Sequence, residues 1–370
     1  MKRILIAIHY LEIGGAETSL MGLLDSMDWS KVSVDLFVYS HRGELMGMIP
    51  SQVNLLPEIP EYAQIERPLK DVLCSRYWRI ALARLIAKLQ FRHYIKRNSP
   101  KDGSAIFSYV AKNVTPLLPN INPHTKYDVA VSYLAPHDIV LNKVNAAKKI
   151  CWVHTDYTSI DVDTCLELPV WSGYDKITAV SGSVSDAFLA TFPSLHDKMQ
   201  IIPNRVSESF VKKRAAEIPP SEVEKEMPIE AGEVRLLSVG RFTKAKNFDS
   251  VPEICKRIWE SGVKVRWYII GFGSDGQLIQ RRITEAGMEG KVILLGKKSN
   301  PYPYMLSCDF YVQPSRYEGS PMTLLEAMSL GRPVIVTEYP TLDKSAIKNG
   351  NIVPMEPVAC AAGIVNAIKQ

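Results

Sequence analysis

Short β-branched, apolar runs alternate with helical patterns from one end of the chain to the other, and this alternation constrains the fold more than any single motif. A strand–helix–strand order predicts parallel sheets joined by crossover helices. In the first half, strands are predicted at Arg3–Ile8, Ser33–Tyr39, Val129–Tyr133, Lys149–Val153 and Lys176–Val180. The alternation then restarts. Strands are predicted at Val234–Val239, Lys264–Ile270, Lys291–Leu295, Asp309–Val312 and Pro333–Val336, and helices at Asp249–Ser261, Asp275–Ala286, Tyr302–Leu306 and Thr323–Ser329. A chain of 370 residues is too long for one ordinary core. The expected organisation is therefore two α/β domains, 1–205 and 234–370. A charged stretch at 206–233, containing Pro219, Pro220 and Pro228, reads as the linker. A long insert at about 62–122 interrupts the first domain.

Composition excludes several classes. With 46% apolar and 22% charged residues the chain is an ordinary soluble one, and no apolar run approaches the ~20 residues that span a bilayer. Met1-Lys2-Arg3 followed by an apolar run looks superficially like a signal peptide, but the run is short and Glu12 and Glu17 follow without a cleavage pattern, so it reads as a first strand. The six cysteines lack any CxxC pair, which fits reduced thiols in a cytoplasmic protein. The net charge of +5 is mild but uneven: between Gln64 and Asp102 basic residues heavily outnumber acidic ones. Arg84, Lys88, Arg92 and Lys96 form one helical ridge beside an apolar stripe of Trp78, Leu82, Leu85 and Leu89. Two readings stand side by side: a core-packed helix with a solvated basic face, or a helix lying on an anionic membrane surface. No motif for nucleic-acid binding accompanies the charge.

Ligands of open α/β sheets sit at the carboxyl ends of the strands, so the loops there carry the candidate chemistry. Gly14 and Gly15 follow the first strand and open a helix, where backbone N–H groups can approach a phosphate or sugar. Gly271-Phe272-Gly273-Ser274-Asp275-Gly276 spells a dinucleotide fingerprint. The next strand, however, ends in Gly296-Lys297-Lys298, where a ribose-binding acid is required, so the segment reads as a backbone turn that can touch phosphate. Arg241 and Lys246 bracket a loop where a diphosphate would meet two fixed cations. Glu318-Gly319 precedes a helix bearing Glu326 among apolar neighbours, which points to a buried or partnered carboxylate. His154 ends a first-domain strand, with His9 and His137 as competitors. Asp161-Val162-Asp163 spells a DxD by chance.

Taken in order, Gly14-Gly15-Ala16-Glu17-Thr18, Val180-Ser181, Ile202-Pro203-Asn204, Val239-Gly240-Arg241 with Lys246-Asn247, Ile270-Gly271-Phe272-Gly273, and Glu318-Gly319 through Glu326-Ala327 to Gly331-Arg332-Pro333-Val334 resemble the retaining family-four glycosyltransferases. The resemblance spans nearly the whole chain. It implies the GT-B fold, two Rossmann-like domains facing a central cleft, with an acceptor-binding first domain and a donor-binding second. It further implies that Arg241 and Lys246 hold the donor diphosphate, Glu326 the nucleotide ribose, and Glu318 with Gly319 the transferred sugar. Gly14, Gly15, Gly271 and Gly273 would border the donor, and His154 would lie near the reacting sugar. Catalysis would rest on His154, Arg241, Lys246 and Glu318. The implied reaction moves a hexose or N-acetylhexosamine from a nucleotide-sugar, a UDP-sugar first, to a glycan or lipid-linked glycan. No metal and no cofactor are implied, the nucleotide-sugar being a substrate. The expected location is cytoplasmic, with peripheral contact to the membrane through the 62–122 insert. Members of that family carry a longer tail after the position of Pro333, whose last helix crosses back to the first domain. A nucleotide-sugar epimerase of the same fold, an NAD-dependent oxidoreductase and an inactive carbohydrate-binding scaffold are the competing readings.

Overall fold

A computed structural model of the chain describes residues 1–370 except 13, 99–102, 159, 229, 341, 345–346 and 348–349; positions 99–102 of the predicted insert thus lie outside the described residues. The chain divides into two compact units, 1–205 and 206–370.

The first unit holds a parallel sheet of β1 (Lys2–Ile8), β2 (Val32–Val38), β3 (Asn54–Leu55), β4 (Tyr127–Ser132), β5 (Ala146–Val153), β6 (Lys176–Ala179) and β7 (Met199–Ile201), in the order β3-β2-β1-β4-β5-β6-β7. The second holds β8 (Val234–Val239), β9 (Val265–Ile270), β10 (Val292–Gly296), β11 (Phe310–Gln313), β12 (Val334–Thr337) and β13 (Asn351–Val353), in the order β10-β9-β8-β11-β12-β13. Both sheets wind outward in two directions from their first strand. The order reverses between β1 and β4 in one sheet and between β8 and β11 in the other. Such switch points open a crevice at the strand ends. The short edge strands β3, β7 and β13 do not stand out in the sequence, because two or three residues carry no readable periodicity.

Burial of both sheet faces explains the near-continuous apolar runs. In the second unit Leu236, Trp267, Ile269, Val312 and Ile335 pack on one side beneath the helices Val251–Glu260, Gly276–Ala286 and Pro357–Lys369. Leu237, Tyr268, Ile270, Tyr311 and Val334 pack on the other. The two-residue period is visible in each pair of neighbours, such as Leu236 and Leu237.

The segment 206–233, read as a linker, is folded. It forms the helices Glu208–Ala215 and Pro220–Glu226, whose Val211, Ala215 and Val223, with the following Met227, join the second core beside Tyr302, Tyr304 and Leu324. Its many charges face outward and mask a helical apolar stripe.

The insert forms mainly the helices Trp78–Asn98 and Ile106–Val114, packed on each other. The longer one buries Ile80 and the alanines Ala81, Ala83 and Ala87, while Trp78 (55%), Leu82 (48%), Ile86 (42%) and Leu89 (62%) stay exposed. Of the two readings of this helix, the core-packed stripe does not hold at Trp78, Leu82 and Leu89, which are exposed, while Leu85 is half-buried. Small residues let the helix approach closely, so that Ile80 packs inward while Trp78, Leu82, Ile86 and Leu89 point away from the core.

Candidate active site

In the second unit the predicted residues converge on the switch point. Strand β8 delivers the loop Gly240–Asn247, and β11 delivers Pro314–Pro321 and the helix Met322–Ser329. The Lys246 ammonium donates to Glu318 Oε1 at 2.6 Å. That oxygen also accepts from Gln313 Nε2 at 2.6 Å and Ser315 Oγ at 2.5 Å. Gln313 is fixed in turn, its Oε1 accepting from Tyr311 Oη at 2.9 Å and Thr323 Oγ1 at 3.2 Å. A lysine ammonium carries three donors, and this pair uses one of them.

Glu326 is 3% exposed, and its Oε1 accepts from Tyr302 Oη at 3.2 Å. Burial pushes its carboxyl up to about 7, against the opposing pull of Tyr302 and the Lys246 charge. A carboxyl held so far from its ordinary value, at the mouth of a switch point, has the signature of a binding group. Arg241 lies exposed on the same loop, with no side-chain hydrogen bond or ion pair among the described residues.

The two loops are stapled by Arg316, which grips both oxygens of Asp249 at 2.8 Å and donates to the Lys244 carbonyl at 2.8 Å. Asn247 closes the first loop in the left-handed region, φ +58°, which Asn tolerates better than most residues. Gly271 and Gly273 pack against this loop: a Cβ at Gly271 would sit 1.9 Å from the Gly240 carbonyl oxygen, and one at Gly273 2.4 Å from that of Phe242. Both glycines are thus required by backbone contact within the unit. The fingerprint spacing needs no dinucleotide to explain it.

Gly319, like Glu318, sits in the half-buried loop before the helix Met322–Ser329. Sequence reasoning did not single out Gln313, Ser315, Arg316, Asp249 or Tyr302 as site residues. Gln313 did carry a signal, as the one polar residue ending the apolar Phe310–Gln313. Arg316 and Asp249 carried none, because their pairing is visible only in three dimensions.

In the first unit Gly14 caps the helix Gly15–Asp25, and the carboxylate of Glu17, the movable end of its side chain, folds back over it, so that a Cβ at Gly14 would lie 2.3 Å from Glu17 Oε2. His154 follows β5. Burial lowers its imidazole to about 4, and its Nε2 is buried with no partner among the described residues. It lines a cavity of about 290 Å³ with Trp152, Trp171, Glu167 and, from the insert, Phe107 and Ser108. Its competitors differ. His137 lines the same cavity, but burial pushes its imidazole to about 3 and its Nδ1 is already held by Ser132 Oγ at 2.8 Å. His9 Nδ1 pairs with Glu66 Oε1 at 2.7 Å. Asp163 of the spelled DxD caps the helix Thr164–Ser172 and accepts from Tyr109 Oη at 2.6 Å. Among the described residues no group of three His, Cys, Asp or Glu could hold a metal ion, and the six cysteines are unpaired.

Comparison with known proteins adds family evidence. Residues 221–370 match the family described as glycosyl transferases group 1. The uncharacterized glycosyltransferase MJ1059 of Methanocaldococcus jannaschii is 27% identical over 217 residues, covering 55% of this chain and 52% of its own. The match thus spans about half of that relative's length. The putative colanic acid biosynthesis glycosyltransferase WcaL of Escherichia coli is 30% identical over 147 residues, 37% of this chain and 36% of its own. Among solved structures, Anabaena Alr3699/HepE in complex with UDP and glucose superposes with a TM-score of 0.66 at 13% identity, covering all of this chain and 90% of that one. At that identity the likeness speaks for the fold.

Proposed function

We propose that this chain is a group 1 glycosyltransferase of the GT-B fold that moves a hexose or N-acetylhexosamine from a nucleotide-sugar to a glycan or lipid-linked glycan in surface polysaccharide synthesis. The observation that carries the donor assignment is the buried Glu326 carboxyl beside the Lys246–Glu318 pair at the β8/β11 switch point. On this reading the donor is a UDP-sugar, the base borne by HepE's ligand. Glu326 accepts from the ribose hydroxyls, and Lys246 and Arg241 take the diphosphate. Glu318 and Gly319 meet the sugar, while Gly14, Gly15, Gly271 and Gly273 allow close backbone approach. His154 is assigned to the reacting sugar.

The transfer retains configuration: the acceptor hydroxyl enters on the face the phosphate leaves, and a phosphate oxygen takes its proton. Positioning and charge stabilisation then suffice, without a protein nucleophile. Neither metal nor cofactor has a part in this reading. It places the enzyme on the cytoplasmic side, in contact with a membrane face through the 62–122 insert. The supporting relative is WcaL, by its assignment to colanic acid biosynthesis.

Thermal-shift measurement against UDP, GDP, ADP and NAD tests the donor. A ligand at about 100 times its dissociation constant stabilises by roughly 2.7 kcal/mol. A UDP or GDP shift lost in both Arg241→Ala and Glu326→Ala supports the site, whereas a shift with NAD alone overturns it.

A further inference from the structure

The helix Trp78–Asn98 is inverted relative to an ordinary amphipathic helix: alanines face the protein and large apolar side chains face out. At about 100° per residue, Trp78, Leu82, Ile86 and Leu89 fall within roughly 80° of one another, forming one ridge. Arg79 and Arg97 flank the ridge on one side, and Lys88 and Arg92 on the other. Arg76, Arg79, Lys88, Arg92, Lys96 and Arg97 are all exposed, and residues 72–98 contain no Asp or Glu. Arg84 is the exception among the basic residues. It turns inward and donates to the carbonyls of Gln64 and Arg67 at 2.9 and 2.6 Å, which anchors the helix to the rest of the insert.

A contiguous exposed apolar ridge marks an interaction surface. Its occupant must be apolar at depth and anionic at the rim. A second copy of this face fails the second condition, because it would bring the same positive charge. We propose that this face docks on an anionic phospholipid surface, the apolar ridge entering the headgroup–acyl boundary and the flanking Arg and Lys meeting lipid phosphates. The helix lies on the bilayer rather than through it, since no helix among the described residues is long and apolar enough to cross one.

The same insert also walls the cavity that His154 lines. The helix Ile106–Val114 packs on Trp78–Asn98, through Tyr109 against Phe91 and Tyr94, and offers Phe107, 68% exposed, and Ser108 to the cavity. One element thus joins the lipid-facing ridge to a cavity wall, which suits an acceptor carried on a lipid. This last step rests on the glycosyltransferase reading; the lipid docking does not.

Vesicle sedimentation of the full chain, without donor or acceptor, tests the docking, while the UDP thermal shift reports separately on the donor site. The chain should pellet with phosphatidylglycerol-containing vesicles far better than with pure phosphatidylcholine, and less so in high salt. Combined Arg79→Glu, Lys88→Glu and Arg92→Glu should lower partitioning on the order of a hundredfold. Combined Trp78→Ser, Leu82→Ser and Leu89→Ser should abolish it, with the UDP shift intact in both. Quenching of tryptophan fluorescence by brominated acyl chains should disappear in Trp78→Phe, which still binds. Failure to pellet, pelleting indifferent to both triple variants, or self-association through this face without lipid preference would each overturn the proposal.

Discussion

Glu326 carries two pH dependences of opposite sense. Its folded carboxyl titrates at about 7, above the ordinary 4.5, so the unfolded chain gives up its proton first as pH rises. The contribution is complete below 4.5 and is lost as pH climbs through about 7. Urea unfolding without nucleotide should therefore show stability falling between those values, and Glu326→Gln should flatten the slope. Nucleotide affinity should run the other way, rising through about 7, since a ribose diol donates both hydroxyls best to the ionised form. Titration calorimetry at several pH values checks this, and loss of the charged acceptor should cost about 1.5–3 kcal/mol of binding. A second residue-scale prediction concerns Gly271. Alanine there would drive its Cβ into the Gly240 carbonyl, so Gly271→Ala should destabilise the protein by roughly 2–4 kcal/mol in denaturant unfolding.

At the scale of elements, the loops after β8 and β11 act as one body because Arg316 binds both. The Arg316–Asp249 pair is only about a quarter exposed and bidentate, so Arg316→Ala should cost about 1–2 kcal/mol of stability. Its larger effect falls on positioning: Lys246 would drift from Glu318, and nucleotide affinity should drop ten- to a hundredfold. Hydrogen exchange at Arg241–Asn247 should quicken in the same variant. The strands and their loops were legible beforehand because β-branched runs and terminal glycines are local signals. Lys246, Glu318 and Glu326 could be singled out by type and place. Of the partners that fix them, Gln313 left a signal as the polar end of an apolar strand, whereas Ser315 and Tyr302 left none, because a hydrogen-bond network leaves no periodicity behind. The two readings of the helix Trp78–Asn98 stayed open for a related reason. An apolar stripe tells which residues share a face but not whether that face is turned inward, and here the less conspicuous alanines decided it.

For the whole molecule, the fold class was readable from alternation alone, but the boundary of the second unit was not. Val211, Ala215, Val223 and Met227 complete a core whose other buried members begin at Leu237. A fragment spanning 206–370 should unfold cooperatively, whereas one beginning at 234 should expose Tyr302 and Leu324 and lose near-UV circular dichroism. The first unit has its own acid limit. His154 and His137 stay neutral down to about 4 and about 3, below the ordinary 6.5. The stability they contribute is present above 6.5 and is lost as pH falls through those values. Thermal melting of the full chain at pH 7 and pH 5 should register the loss, and a variant carrying His137→Gln should lessen it.

The alanine seam of the Trp78–Asn98 helix bears on how such a protein can change over generations. The core meets this helix largely through Ala81, Ala83 and Ala87, together with Ile80. Substitutions at Trp78, Leu82, Ile86 or Leu89 therefore disturb little packing. The outward face is free to drift, lengthen or swap charge while the catalytic scaffold stays fixed, so one architecture can be readdressed to new surfaces without being rebuilt.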